Sequence, residues 1–549
     1  MNGKEEYIMD LMDVSLPVGN KLVSKYILRD EEVQTFFDYQ DIENDKTYSI
    51  RANDLSNRSY PREELTSYLM EFHSKFNVNS KTFENIKRFQ DPRSVVVIGG
   101  QQAGLLTGPL FTIHKIISII KLARKQERNL KIPVLPVFWI AGEDHDFDEI
   151  NHVYINKAGN ATKTKINQRQ YKKCTISALD IDKELAQKWI EDVVESFGET
   201  DETTSLMESL QADLTRSKTY VDFFIRLVYR LFPNEGLIVV DSGDAGFRKI
   251  GSSFMKSIIM NNDILREKVI MKQMLLKESG FGEPIEINEH NAHLFYMKDG
   301  ERVLLEKYND RYIGKSHDCQ FSQSELETIA INSPALLSNN VVTRPLMQEF
   351  IFPTLAFISG PGEIAYWAVL KEAFHLFGFK MPIIVPRLMI SIIDRATAKY
   401  IQEHELDLKE VLLSGSRTDK ERWFNSQKPN KLDRITDETI SKVADAHNAL
   451  KELAIEIDGG LKPLAEKNAQ IIQSQILFLR QRVEKALYNK HTVELRKFEH
   501  IDLSLRPLNA PQERIWNIFY FINLYGFEFV DDLLKLDFAF NSQHKVIFL

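Results

Sequence analysis

Ser94–Lys115 reads SVVVIGGQQAGLLTGPLFTIHK. Its opening run, Ser94–Ile98, is apolar and β-branched without alternation, the pattern of a strand buried on both faces. Gly99 and Gly100 end the run. From Pro109 to Lys125 the apolar residues Ile113, Ile116, Ile117, Ile120 and Leu122 recur at helical spacing, and Pro109 suits a first turn. The same strand, turn and helix pattern returns along the chain. Further strand signals are Val134–Ala141 (VLPVFWIA), Leu237–Asp241 (LIVVD), Leu355–Ser359 (LAFIS) and Pro382–Pro386 (PIIVP); helical patterns cover Ala245–Met260, Glu363–Phe377 and Ile390–His404. Strands alternating with helices predict an α/β fold built on a doubly wound parallel sheet.

Working outward, two long stretches interrupt the alternation. Residues 155–235 read as mainly helical, and 264–340 mix helix with hairpin strands at Ala292–Met297 and Arg302–Tyr308. Both are expected to be insertions, because structureless loops of that length are rare inside a compact domain. The core is then assembled from 1–154, 236–263 and 341–430. Over 431–505 the pattern changes. Val443, Leu450 and Ile457 recur every seven residues, as do Ile472, Leu479 and Ala486, with Ile476 and Val483 alongside and Asp458-Gly459-Gly460 between the blocks. That predicts an antiparallel helical coiled-coil arm, and an ordinary helical subdomain is the alternative. Asn468, Gln473 and Gln475 dilute the seam, so a second copy of the chain is expected to complete it. Residues 506–549, with the aromatic-rich Pro511–Gly526, should dock back on the core.

Composition removes several function classes. The chain has 549 residues, 43% of them hydrophobic and 27% charged, and a formal net charge of −8. No domain-scale basic excess is available for nucleic acid. No apolar run approaches the roughly 20 residues of a membrane span. The opening MNGKEEYIMDLMDVSLP is acidic rather than signal-like, so a cytoplasmic location is expected. Cys174 and Cys319 are the only cysteines, too few for a disulfide framework, and neither has a neighbour that would make it a nucleophile. No zinc or redox cofactor is expected.

Five places in the chain carry candidate chemistry. Gly99–Lys115 places glycines between a strand and a helix, where backbone donors and the helix dipole favour phosphate. It is not a Walker loop, since Leu105 and Leu106 stand where Lys and Ser/Thr would, and it lacks GxGxxG. Gln101, Gln102, Thr107 and Gly108 are candidate substrate contacts, Gly100 and Gly104 nucleotide contacts, and His114 and Lys115 catalytic contacts to developing charge. Gly142–Asp148 (GEDHDFD) sets Glu143, Asp144, His145 and Asp146 at a strand end, where they suit an amine, Mg²⁺ or a general base. A solvated charged loop and a zinc site with His152 are the other readings of that run. Asn339–Trp367 adds Arg344, Glu349, Ser359, Gly360, Glu363, Tyr366 and Trp367 as substrate contacts. Asp241–Asp244 repeats the turn with Ser242, and Arg387, Arg514 and Trp516 form a further patch for a nucleotide or for a joint within the fold.

Taken together, GGQQAGLLTGPLFTIHK, AGEDHDFDEIN, NNVVTRPLMQEF with FISGPGEIAYW, and APQERIWN resemble the BshC family over nearly the whole chain, from Phe36–Tyr39 onward. The resemblance implies a Rossmann-like core with connecting insertions and a coiled-coil arm that dimerises it. It also implies a cytoplasmic, carbon–nitrogen bond-forming ligase of bacillithiol biosynthesis, adding L-cysteine to the amine of glucosaminyl malate with ATP, and Mg²⁺ alongside the nucleotide. Thr112–Lys115 (TIHK) would stand near the HIGH position of class I adenylating enzymes, with a single histidine. Another small-molecule nucleotidyltransferase and a non-catalytic dimeric scaffold are the competing readings.

Overall fold

The computed structural model describes residues 9–170, 172–429 and 431–549, so the first eight residues of the acidic N-terminal stretch lie outside the described residues. All five apolar runs become strands of a single sheet: β1 (Val95–Gln101), β2 (Val134–Ile140), β3 (Ile238–Asp241), β4 (Thr354–Ser359) and β5 (Ile383–Pro386). Each neighbour pair is parallel, and the spatial order is β3-β2-β1-β4-β5. This is the order of a Rossmann-type sheet, in which the winding reverses between β1 and β4 and leaves a crevice at their carboxyl ends. Gly99 and Gly100 belong to β1 itself. A Cβ at Gly99 would lie 2.9 Å from the Ile358 carbonyl and one at Gly100 2.8 Å from that of Trp139, so neither position tolerates a side chain without spreading the sheet.

Helix α1 (Leu110–Leu130) begins directly after Pro109 and covers the sheet with Ile113, Ile116, Ile117 and Ile120, all fully buried. Helix α2 (Pro361–Trp367) follows β4 and ends the pattern expected to run to Phe377; a second short helix, Lys371–Leu376, continues it. Ala245–Met260 is likewise split, at Gly251. Ile390–Ile393 is a strand and only Arg395–Glu403 is helical, so the helix expected from Ile390 begins later, after a β-branched run that favours extension. Five helices between Lys21 and Arg88 precede β1, an element group with no counterpart in the expected layout.

The insertion after β2 is largely helical but opens with an antiparallel hairpin, His152–Lys157 with Asn160–Lys165. The second insertion is a five-stranded antiparallel sheet around the expected hairpin, now Asn291–Lys298 with Glu301–Tyr308. Near the C-terminus His544–Phe548 pairs antiparallel with Asp10–Val14.

The chain divides into two compact units, residues 1–392 with 512–549, and residues 393–511. Within the second, helices α3 (Leu432–Ile457) and α4 (Lys462–Lys490) form the antiparallel arm, turning at Asp458–Gly460. Exposed polar pairs bridge the two helices: His447 Nε2 to Asn468 Oδ1 at 2.9 Å, Lys451 to Glu466 and Arg480 to Asp433, while Ile472 and Ile476 between them are half-buried. Leu450, Ile457 and Leu479 stand 63%, 75% and 65% exposed. The heptad apolar residues are therefore divided between half-buried and exposed positions. Among the described residues no helix is long and apolar enough to cross a membrane.

Candidate active site

The crevice between β1 and β4 opens into a cavity of about 600 Å³, walled by the ends of β1, β2 and β4 and by the second insertion. Lys115 lies in the second turn of α1. Helical side chains lean toward the N-terminus, so it reaches back to the strand ends. Its Nζ donates to Gly100 O at 2.7 Å, Gln101 Oε1 at 3.3 Å and Glu363 Oε2 at 2.5 Å. Glu363, in the first turn of α2, also accepts the Gly360 N–H at 2.6 Å. One ion pair thus ties the ends of the two strands that flank the crevice. Burial lowers the Lys115 pKa, and Glu363 opposes that.

Cationic groups dominate the same wall. Arg344 donates to the Tyr366 hydroxyl at 2.5 Å, and Arg387 and Arg514 complete the rim. The acidic turn after β2 faces them. The Glu143 carboxyl is buried, accepts Asn339 N at 3.1 Å, and has its pKa pushed up by burial against the pull of Arg302. Asp144 accepts Arg302 Nη1 at 3.2 Å.

Arg302 was not singled out by sequence reasoning. It stacks 3.7 Å from the Phe295 ring centroid and donates to Asn339 O at 2.6 Å and Ser338 Oγ at 3.1 Å. Asn291, Phe295, Asn339, Asn340 and Phe111 are further lining residues of this kind. In the sequence Arg302 follows Asp299-Gly300-Glu301, a turn that reads as surface; only its place opposite the acidic turn reveals it.

Of the expected residues, Gly100, Gln101, Gln102, Lys115, Glu143, Asp144, Arg344, Gly360, Glu363, Tyr366, Arg387 and Arg514 meet at this cavity. Others do not. His114, one residue from Lys115 and so about 100° around the helix, is buried with Nδ1 3.0 Å from Glu513 Oε2. Glu513 is gripped in turn by both Arg387 nitrogens at 2.6 Å, which holds its carboxyl well below the usual range. His145 borders the wall through Arg302 Nη1 at 3.4 Å, and burial lowers its pKa. Asp146 caps the short helix Phe147–Ile150. Gly104, Thr107 and Gly108 line a second cleft of about 460 Å³ that shares Gln101, Gln102 and Phe111 with the first. Ser242 lies behind the acidic turn. Ser359 and Trp367 are fully buried, the latter packed on Phe357 and Phe374. Trp516 receives Leu110 N on its carbonyl. Glu349 is completely buried between Arg51 and Arg58 and is not part of the cavity lining. Among the described residues no group of three or more His, Cys, Asp or Glu side chains is arranged for a metal.

The comparisons with known proteins agree along the whole chain. The family description "Bacillithiol biosynthesis BshC, N-terminal Rossmann-like domain" matches residues 9–388, and "Bacillithiol biosynthesis BshC, C-terminal coiled-coil domain" matches 390–549. The chain belongs to the BshC family. Similar BshC proteins occur in Geobacillus sp. strain WCH70 (44% identical over 543 residues) and Bacillus licheniformis (44% over 539). Another, from Bacillus velezensis, is 43% identical over 540 residues. Each alignment covers 98% of this chain and 100% of the relative, and all three relatives carry the name "Putative cysteine ligase BshC".

Neither cysteine of this BshC chain is on the cavity wall. Burial raises the Cys319 pKa, opposite to what a thiolate nucleophile requires. Replacing both with serine should leave turnover within a few-fold in a steady-state assay; abolition of turnover in a folded double variant would return a thiol to the chemistry.

Proposed function

We propose that this chain is a ligase of bacillithiol biosynthesis that joins the carboxyl of L-cysteine to the amine of glucosaminyl malate, using ATP. The observation that supports this reading is one cavity with opposed charge. Lys115, Arg302, Arg344, Arg387 and Arg514 suit the two carboxylates of a malyl group and nucleotide phosphates, and Glu143 and Asp144 suit an attacking amine. ATP would convert the cysteine carboxyl to an adenylate, releasing pyrophosphate, or to an acyl phosphate, releasing ADP. The amine then forms the amide bond, gives its proton to the acidic turn and expels AMP or phosphate. Mg²⁺ would arrive with the nucleotide, and Asp144, a partly exposed carboxylate of the cavity lining, would meet it. The proposed location is the cytoplasm, and no helix among the described residues is long and apolar enough to cross a membrane. The test is reconstitution from purified protein, L-cysteine, glucosaminyl malate and ATP with the nucleotide product identified. Absence of amide product under these conditions rejects the reading.

Asp144→Ala should lower turnover by about 10²-fold, the usual scale for a positioned acid–base group. Asp144 is partly exposed at a strand end, so thermal stability should change little. A variant that melts early yet keeps full turnover per folded molecule would make this turn structural.

The proposed assembly is a homodimer through the arm. Leu450, Ile457, Leu464, Ile471, Phe478 and Leu479 of the arm are too exposed to be stabilising in one copy alone. Deleting residues 440–500 should give monomers in sedimentation velocity, and a dimer that survives deletion rules the arm out.

A further inference from the structure

Asp241 and Ser177 take no part in the chemistry outlined above, yet they converge on the acidic turn. Asp241 ends β3, is 5% exposed, and places Oδ1 2.7 Å from Ser177 Oγ and 2.9 Å from Gly243 N. Ser177 belongs to a turn, Ile176–Ala178, that the helical insertion lays across Gly142–Asp144. Its backbone N–H donates to Gly142 O at 3.0 Å, and that of Ile176 donates to Asp144 O at 2.8 Å. From the other side Ser242 Oγ accepts Glu143 N at 3.4 Å while donating to Ile140 O at 3.0 Å. The turn that presents Glu143 and Asp144 is therefore held between residues 176–177 and 241–242. Its tolerance is small: a Cβ on Gly142 would lie 2.2 Å from Ser177 Oγ, and one on Gly243 2.0 Å from the same atom.

We infer that Ser177 and Asp241 are positioning residues, which fix the Glu143–Asp144 turn against the cavity by a hydroxyl–carboxylate latch between the insertion and β3. The inference rests on the proposed reaction at that cavity. A buried carboxylate is a costly way to make a fold joint. Burial raises the pKa of Asp241 to about 6 even with its two donors in place. What the latch supplies is accuracy, since a displacement of about 1 Å at a reacting group costs on the order of 10²-fold in rate.

The test uses full-length Ser177→Ala, Asp241→Ala and Asp241→Asn. Asparagine keeps an oxygen for both donors, so Asp241→Asn should retain most of kcat at neutral pH. Ser177→Ala and Asp241→Ala should each lose about tenfold or more in kcat, with KM for both substrates within about threefold. Hydrogen exchange at the Ile176 and Ser177 amides should quicken at least tenfold in the two alanine variants and stay near wild type in Asp241→Asn. Unchanged kcat in both alanine variants overturns the inference, as does an Asp241→Asn variant as impaired as Asp241→Ala. Exchange is read without substrate, so the two ideas fail separately. Faster exchange in a protein whose wild type makes no amide removes the ligase reading and leaves the latch standing, whereas active wild type with unaltered exchange and kcat removes the latch alone.

Discussion

Lys115→Met should lower the rate of amide formation by about 10²–10³-fold, the range for removing one pre-placed charge donor from a reacting site. The side chain is buried, and its ammonium spans Gly100 O, Gln101 Oε1 and Glu363 Oε2. Those acceptors belong to the two strand ends that define the crevice, so the charge sits where an anionic intermediate or phosphate would be received. Methionine preserves most of the volume, and the remaining Glu363 carboxyl is 19% exposed and keeps its bond to Gly360 N. Loss of stability should therefore be modest. Steady-state rates with parallel thermal melts decide it. Full turnover in Lys115→Met would confine the lysine to joining β1 and β4, and a double variant Lys115→Met/Glu363→Gln that regained stability but not rate would confirm the separation of the two roles.

The five strands were legible because a parallel strand buried on both faces must be apolar throughout. Their spatial order was not, since apolar runs carry no record of which neighbour they pair with. Glycine-rich turns after β1 and β4 were readable as a ligand edge, but the pairing of Lys115 with Glu363 depends on that order. His114 shows the limit of proximity in sequence: one residue from Lys115, it faces Glu513 because a helix turns about 100° per residue. Arg302 shows the reverse limit. It sits 158 positions from Asp144 on a hairpin that resembles surface, and only the folding of the insertion over the sheet edge brings the two together. The hairpin at His152–Lys165 was masked by the lysines and threonines of NATKTK, whose alternation has little apolar content. In the arm, seven-residue spacing was real, but two helices alone bury only one side of each, so Leu450, Ile457 and Leu479 of the repeats stay exposed.

Glu349→Ala should destabilise the unit that contains it by about 3–5 kcal/mol, the cost of leaving buried charge unpaired. Sequence alone placed Glu349 among the substrate contacts, because it lies with Arg344 just before the glycine turn Ser359–Glu363. The structure turns the two apart. Arg344 faces the cavity, whereas Glu349 Oε1 accepts Arg51 Nη2 at 2.7 Å and also pairs with Arg58, in a site where Glu349 is fully buried and Arg51 1% exposed. Arg51 has further bonds to the carbonyls of Thr354 and Lys380, at 3.0 and 3.1 Å, so one guanidinium ties a helix of the N-terminal group to the start of β4 and the approach to β5. Burial raises the Glu349 pKa and the two guanidiniums oppose it, so the carboxylate and the arginines stabilise one another only as a set. Removing the carboxylate strands Arg51 in a space that admits little water, while Glu349→Gln keeps an acceptor and should cost less. Urea unfolding followed by tryptophan fluorescence measures the difference, because Trp139 and Trp367 are buried in the same unit. Substrate affinity of the folded variant should stay within about threefold of wild type. An alanine variant with wild-type stability and lost substrate binding would restore Glu349 to the site and remove it from the fold.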